Sequence, residues 1–275
     1  MAIRLGTVAA IGFENFPPAD WLGCFRQLGC QAVQAYRRQD IPVFISQMQD
    51  AIAAGGMPCD SIHGVYGEQY DPSATNEIAR TAAVDKFKSE GELALALGGP
   101  LVVVHCATIR HGGISDPERA VRIAQLRKSI VELGEFGRQT GVRYAFENLP
   151  GYHAIGWDIA ALASLLNELD APNTGMCFDT GHANMIGDAA DAIRHTDGQM
   201  IYVHFSDNSG RSDDHDMPTY GTLDCDAIAR ALAAEGYSGT LMLEVFYSVD
   251  RLKQLIDEGL ADRLARIIDL ANGRA

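Results

Sequence analysis

The sequence predicts a (β/α)₈ barrel, eight parallel strands alternating with helices, as a single domain over residues 1–275. Short apolar runs of strand character alternate with longer amphipathic stretches from one end of the chain to the other, at fairly even spacing. No Pro/Gly/Ser-rich linker divides them, and the length is near the ~250 residues typical of such barrels. The competing arrangement, a doubly wound open sheet, is weakened because no strand candidate is followed by a Gly-rich phosphate fingerprint.

The strand candidates, in order, are IRLGTVA from Ile3, CQAVQAY from Cys30, CDSIHGV from Cys59, LVVVHCA from Leu101, VRYAFEN from Val142, TGMCFDT from Thr174, MIYVHFSD from Met200 and TLMLEVF from Thr240. Each is rich in β-branched and aromatic residues and bounded by Gly, Pro, Asn or Asp. Near-continuous apolar runs of this kind suit strands buried on both faces, as in parallel sheets. Between them, the stretch from Asn76 to Leu97 carries Ile78, Val84, Phe87 and Leu93 at helical spacing and stops at Gly98-Gly99-Pro100. Ser115-Asp116-Pro117-Glu118 opens the next helix with a capping residue, then a proline and an acid in the first turn. That helix runs through Leu126, Ile130 and Leu133 to Gly141. Trp157 to Leu169 and Cys225 to Glu235 repeat the scheme, and one last helix from Val249 to about Ala271 closes the outer ring. No sequence repeat or low-complexity segment is present.

Composition bounds the function. Hydrophobic residues at 47% supply a substantial core and argue against disorder. A formal net charge of −14 repels phosphate backbones, so general nucleic-acid affinity is disfavoured, while small neutral or metal-chelating substrates are compatible. Cys24, Cys30, Cys59, Cys106, Cys177 and Cys225 form no C-x-x-C pair and lie largely in apolar runs, which reads as reduced, buried thiols of a cytosolic protein. The opening MAIRLGTVAAIGFENF is interrupted by Gly and Glu14 and lacks a signal-peptide pattern, and no apolar run reaches membrane-spanning length. The expectation is a soluble, cytoplasmic protein without a membrane partner.

The ionisable residues carry the functional signal. His63, His105, Glu147, Asp179, His204 and Glu244 each fall at or near the C-terminal end of a strand candidate, the third to the eighth. The gaps between them are 42, 42, 32, 25 and 40 residues, each about one βα unit. In a barrel those strand ends ring one mouth, so residues far apart in sequence converge. His182 in DTGH, and Asp213 and His215 after His204, lie in the following loops. Carboxylates and imidazoles suit Mn²⁺, Mg²⁺, Zn²⁺ or Co²⁺, with carboxylate-rich sets leaning to harder metals. Unpaired carboxylates at buried strand ends are costly, and one cation would partner Glu147, Asp179 and Glu244 together.

Taken singly, each residue has a plainer reading. His63 or His105 reads as a hydrogen-bonded structural histidine, Glu147 as a buried acid held by Arg143 or a neighbouring strand, and Asp179 as a helix cap or turn former. Asp213, Asp214 and Asp216 read as a solvated acidic loop, and His111, His153 and His195 do not fit the strand-end pattern. Coincidence across six strands favours a shared metal at Glu147, Asp179, His204 and Glu244.

The ordered set FEN, CFDTGHAN, VHFSDN, DDHDMPTYGTLD and LEVF resembles the xylose-isomerase-like barrel superfamily of sugar isomerases and epimerases, which also contains the endonuclease IV family. The resemblance covers nearly the whole chain. It implies one divalent metal held by Glu147, Asp179, His204 and Glu244, with the two glutamates as an acid/base pair on opposite faces of a sugar or hydroxy-ketone. It implies substrate-oxygen contacts from His182 and Arg211. Endonuclease IV adds a second expectation, because its nine zinc ligands match His63, His105, Glu147, Asp179, His182, His204, Asp213, His215 and Glu244 in order. A multinuclear zinc centre would suit phosphodiester hydrolysis, against which stand the net charge and the acidic segment after His204. A dehydratase or lyase on the same barrel, and a non-enzymatic sugar-binding barrel, are further alternatives. Phe13, Phe16, Tyr36 and Arg37 are expected to line the pocket. Tyr66, Tyr152, His153 and Trp157 suit either stacking on a sugar or ordinary packing. Nothing resembles a phosphate cradle, which favours an unphosphorylated substrate. Barrels of this kind often pair, so a homo-oligomer is compatible.

Overall fold

The computed structural model describes residues 2–109 and 114–274; His111 lies outside them. Eight strands pair in parallel, each with the next, and the last closes on the first. They are β1 (Arg4–Ile11), β2 (Ala32–Arg37), β3 (Cys59–His63), β4 (Leu101–His105), β5 (Arg143–Glu147), β6 (Thr174–Asp179), β7 (Met200–His204) and β8 (Thr240–Leu243). Every strand candidate read from the sequence forms one of them. The barrel class is therefore as expected. Strand β1 runs two residues beyond its predicted end, stopping at Gly12, whose φ of 84° a residue with a side chain rarely adopts.

Alternation along the strands sorts the side chains. In β5 and β6, Phe146 and Phe178 face the helices while Ala145, Glu147, Cys177 and Asp179 face the barrel axis. The outer layer joins Trp21, Phe25, Phe87, Phe146 and Phe178 into one buried core. Inside the barrel, Leu101, Val103, Ala145, Cys177, Tyr202 and Met242 form a second, fully enclosed cluster. Below it Asp60 gathers polar groups of three other strands. Its carboxylate accepts from Tyr202 Oη (3.0 Å) and Thr240 Oγ1 (2.5 Å) and pairs with Arg4 (3.3 Å). The interior is thus packed from the N-terminal end upward, and only the C-terminal mouth is free to hold a site.

The helices, from α1 (Pro18–Gln27) and α2 (Ile45–Gly55) onward, begin and end where local chemistry dictates. Asn76 caps α3 (Glu77–Leu97), its side chain accepting from the amides of Ile78 and Ala79. Ser115 caps α4 (Asp116–Thr140), and both helices end on left-handed glycines, Gly98 and Gly141. Asp158 caps α5 (Ile159–Leu169), and Asp224 caps the helix Cys225–Ala234. The single closing helix expected over residues 249–271 is instead two, Val249–Asp257 and Leu260–Ala271. Gly259, at φ 80°, turns the chain between them. All six cysteines are free and buried. No helix among the described residues is long and apolar enough to cross a membrane.

Candidate metal centre

Glu147, Asp179 and His204 are the last residues of β5, β6 and β7, and Glu244 is the first residue beyond β8. In-register pairing sets Asp179 beside His204 and His105 beside Glu147, so these side chains reach the mouth at one level. One ligand atom from each of Glu147, Asp179, His204 and Glu244 lies within 4.8 Å of the others, and all four residues are buried. His204 Nδ1 stands between the acids, 2.8 Å from Glu147 Oε1, 3.0 Å from Glu244 Oε2 and 3.8 Å from Asp179 Oδ2.

The donor set fits a divalent cation. Asp179 Oδ2 is buried without a hydrogen-bond partner among the described residues. Glu147 Oε2 is likewise left without a hydrogen-bond partner among the described residues, with His105 Nε2 3.1 Å away. Orphaned oxygens on converging buried carboxylates call for positive charge. At present the imidazoles supply it. Burial pushes the Glu147 carboxyl up, but His204 and His105 outweigh it and hold the group well below the usual carboxylate range. Glu244 is held at about 2, where His204, His215 and His63 overcome the same burial penalty. Asp179 goes the other way. Burial raises its carboxyl to about 6, with the opposing pull of His182 too weak to offset it.

The outer residues assemble around this core. His63 and His105, the last residues of β3 and β4, join Glu147 in a second group whose ligand atoms lie within 4.8 Å of one another. Burial depresses His63 to about 4, which keeps it neutral and able to offer a lone pair. His182 sits in α6 (Thr180–Asn184), with Nδ1 2.8 Å from the Asn148 carbonyl and Nε2 3.3 Å from Asp213 Oδ2. Burial lowers it, but Asp179 and Asp213 prevail and raise it to about 10. His215 Nε2 is 3.6 Å from the same Asp213 oxygen. His182, Asp213 and His215 do not form a group of metal-ligand closeness among the described residues. Arg211 is exposed on the turn before Asp213.

The plainer readings resolve individually. Asp179 is a helix cap as well, its Oδ1 accepting from the His182 amide at 2.7 Å. Arg143 is exposed at the far end of β5 and does not hold Glu147. Asp214 is solvated and accepts from Ser209 and Ser212, whereas Asp216 accepts from Tyr247 Oη at 2.7 Å. Tyr36 reaches the mouth, edge-on to His63 at 5.1 Å and hydrogen-bonded to Tyr66. Arg37, its neighbour, turns instead to α3 and pairs with buried Glu90 at 2.6 Å. Three contributors escaped the sequence reading. Gln34 of β2 touches His204, and Cys177 joins Glu147 and His204 with its thiol raised to about 12 by burial. Buried Asp207 accepts from the amides of Thr219, Gly221 and Leu223, which secures the loop carrying Asp213 and His215. The available signal was alternation: Cys177 shares a face with Asp179, and Gln34 is a polar residue amid an apolar strand.

A family model described as xylose isomerase-like TIM barrel matches residues 22–267. An uncharacterized protein of Sinorhizobium fredii is 32% identical over 167 residues, covering 60% of this chain and 53% of that one. The inosose isomerase of Bacillus subtilis is 24% identical, over 66% of this chain and 65% of the relative. The chain thus spans between half and two thirds of the length of these relatives. Among solved structures, a D-tagatose 3-epimerase-like protein superposes with a TM-score of 0.75 at 19% identity, over 95% of this chain and 99% of the other. Likeness at that identity establishes the fold.

Proposed function

The chain belongs to the xylose isomerase-like TIM barrel family, and on that footing we propose that it is a divalent-metal-dependent isomerase or epimerase of a sugar or related hydroxy-ketone. The observation that carries the reading is the convergence of Glu147, Asp179, His204 and Glu244 at the barrel mouth, with buried carboxylate oxygens left unpartnered. The likeness to an inosose isomerase and to a D-tagatose 3-epimerase-like protein supports the same reading.

Glu147, Asp179, His204 and Glu244 would hold one Mn²⁺, Mg²⁺, Co²⁺ or Zn²⁺, which when bound polarises a substrate carbonyl and stabilises negative charge developing on its oxygen. Glu147 and Glu244 enter from strand ends three apart in the ring and lie 2.8 and 3.0 Å from His204 Nδ1. One takes the proton from the carbon beside the carbonyl and the other returns a proton from the opposite face, which inverts that carbon. His182, fixed by Asn148 and Asp213, orients a substrate oxygen. Arg211 on the mouth loop is a further substrate contact.

The substrate is unphosphorylated in this reading. Arg37 is engaged by Glu90, Arg122 by Asp71, and Arg119 by the Ala154 carbonyl, which leaves these cations unavailable to a phosphate. The second metal-ligand group at His63, His105 and Glu147 favours a second reading, a multinuclear zinc phosphodiesterase. Elemental analysis of protein purified without chelator separates the two: about one ion per chain for the isomerase, two or three zinc ions for the esterase. Solvent deuterium entering a sugar at the carbon beside its carbonyl, lost in both Glu147→Gln and Glu244→Gln, is the expected activity. A folded variant turning over at near-native rate refutes the two-glutamate mechanism.

A further inference from the structure

Gln34 is fully buried on β2 and projects into the barrel under the four ligands. Its Oε1 lies 3.1 Å from His204 Nε2, and its Nε2 has no hydrogen-bond partner among the described residues. His204 is therefore held at both ring nitrogens, by Gln34 on one side and by the oxygens of Glu147 and Glu244 on the other. The His63 ring lies stacked 5.9 Å from the His204 ring, and Tyr202 stands edge-on to it at 5.9 Å.

We propose that Gln34 is a positioning residue that keeps the His204 proton on Nε2, so that Nδ1 presents its lone pair to the divalent cation. The inference rests on the metal reading above and deepens it. A neutral imidazole carries one N–H and one lone pair, and the partner of one nitrogen selects the role of the other. With the Gln34 oxygen turned towards it, Nε2 must donate, and Nδ1, whose proton now faces the carboxylates of Glu147 and Glu244, is the nitrogen that a cation would take over. The reversed amide would donate to Nε2 and force the proton onto Nδ1, which would close that nitrogen to a cation. The orientation present satisfies His204 at the expense of the Gln34 amide hydrogens, which stay buried and unpaired. Histidine ligands of metals are commonly oriented through the second nitrogen, and such partners carry a ten- to hundredfold effect on affinity.

The test titrates Mn²⁺ into chelator-stripped native protein, Gln34→Met and Gln34→Glu, with calorimetry for affinity and melting curves of the metal-free forms. Gln34→Met matches the side-chain length with only a weak thioether acceptor and is expected to weaken Mn²⁺ binding about ten- to hundredfold, while the metal-free melting temperature does not fall. Gln34→Glu restores the acceptor and is expected to bind at least as tightly as native within about threefold. In ¹⁵N-histidine spectra of the Zn²⁺-loaded native protein, His204 should carry its proton on Nε2. Folded Gln34→Met binding Mn²⁺ like native, or a loaded His204 protonated on Nδ1, overturns the role of Gln34 alone. Parallel losses of melting temperature without a change in affinity mean that Gln34 is merely structural, which also overturns it. Native protein that takes up neither Mn²⁺ nor Zn²⁺ overturns the metal reading itself, and this proposal falls with it.

Discussion

Asp179→Asn should make the metal-free protein more stable while removing most of its gain from metal. The folded carboxyl is raised by burial from 3.8 to about 6. At 1.36 kcal/mol for each tenfold in proton affinity, ionised Asp179 costs the metal-free fold about 3 kcal/mol. The sign follows from proton binding. Between 3.8 and about 6 the folded state holds a proton that the unfolded chain has released, so stability falls as pH rises through that window and stays low above it. Asparagine removes the ionisation and retains the oxygen that accepts the His182 amide, so α6 keeps its cap. At 2–4 °C per kcal/mol for a chain of roughly this size, metal-free Asp179→Asn should melt about 6–12 °C above native near pH 7.5. The difference should shrink as pH drops towards 4. Metal reverses the order, since a cation at a thousand times its dissociation constant stabilises native protein by about 4 kcal/mol, and the variant has lost a charged ligand. Melting curves with chelator and with excess Mn²⁺ provide the assay. A metal-free variant no more stable than native, or one gaining as much from Mn²⁺, refutes the reasoning.

Other perturbations probe the scaffold. Arg37→Met strands buried Glu90 with only Lys86 at 2.8 Å; it should destabilise by about 3 kcal/mol in urea melts, and replacing both residues with methionine should recover much of the loss. Gly99→Ala would set a Cβ 2.5 Å from the Asp60 carbonyl carbon and the Ser61 nitrogen, both backbone atoms that cannot step aside. A loss of about 2 kcal/mol or more is expected, and an unchanged melting temperature would deny that close approach. The cysteines should resist a thiol reagent in native protein and react on unfolding, because burial pushes Cys59, Cys177 and Cys225 to about 12 and Cys30 and Cys106 higher still. Stoichiometric labelling of the folded chain would contradict this.

The barrel was legible because strands buried on both faces leave long apolar runs that turn chemistry cannot imitate. The strand-end acids and histidines were legible for a related reason: a charge closing an apolar run is costly unless something pairs with it. What stayed hidden depends on direction rather than composition. Arg37 follows Tyr36 by one residue and so faces away from the mouth, a matter of register. Gln34 in its apolar run gave no sign of which strand's side chain it would meet across the barrel. Gly259 was missed because Leu252, Leu255, Leu260, Leu264 and Ile267 keep an apolar stripe on either side of it, and all five are buried. The pairing of Asp213 with both His182 and His215 likewise required the fold of a loop that Asp207 secures by backbone contacts.

The packed interior beneath the acids has a kinetic consequence. Leu101, Val103, Tyr202 and Met242 stopper the barrel, with Asp60 and its partners underneath. Among the described residues of the site, solvent reaches the rim, where the side chains of His105, Asp213 and His215 keep 23%, 23% and 26% of their surface. In the proposed reaction, substrate and product would therefore pass through one doorway, one at a time. Product could not drain away behind an incoming substrate, and each would delay the other by standing in its place.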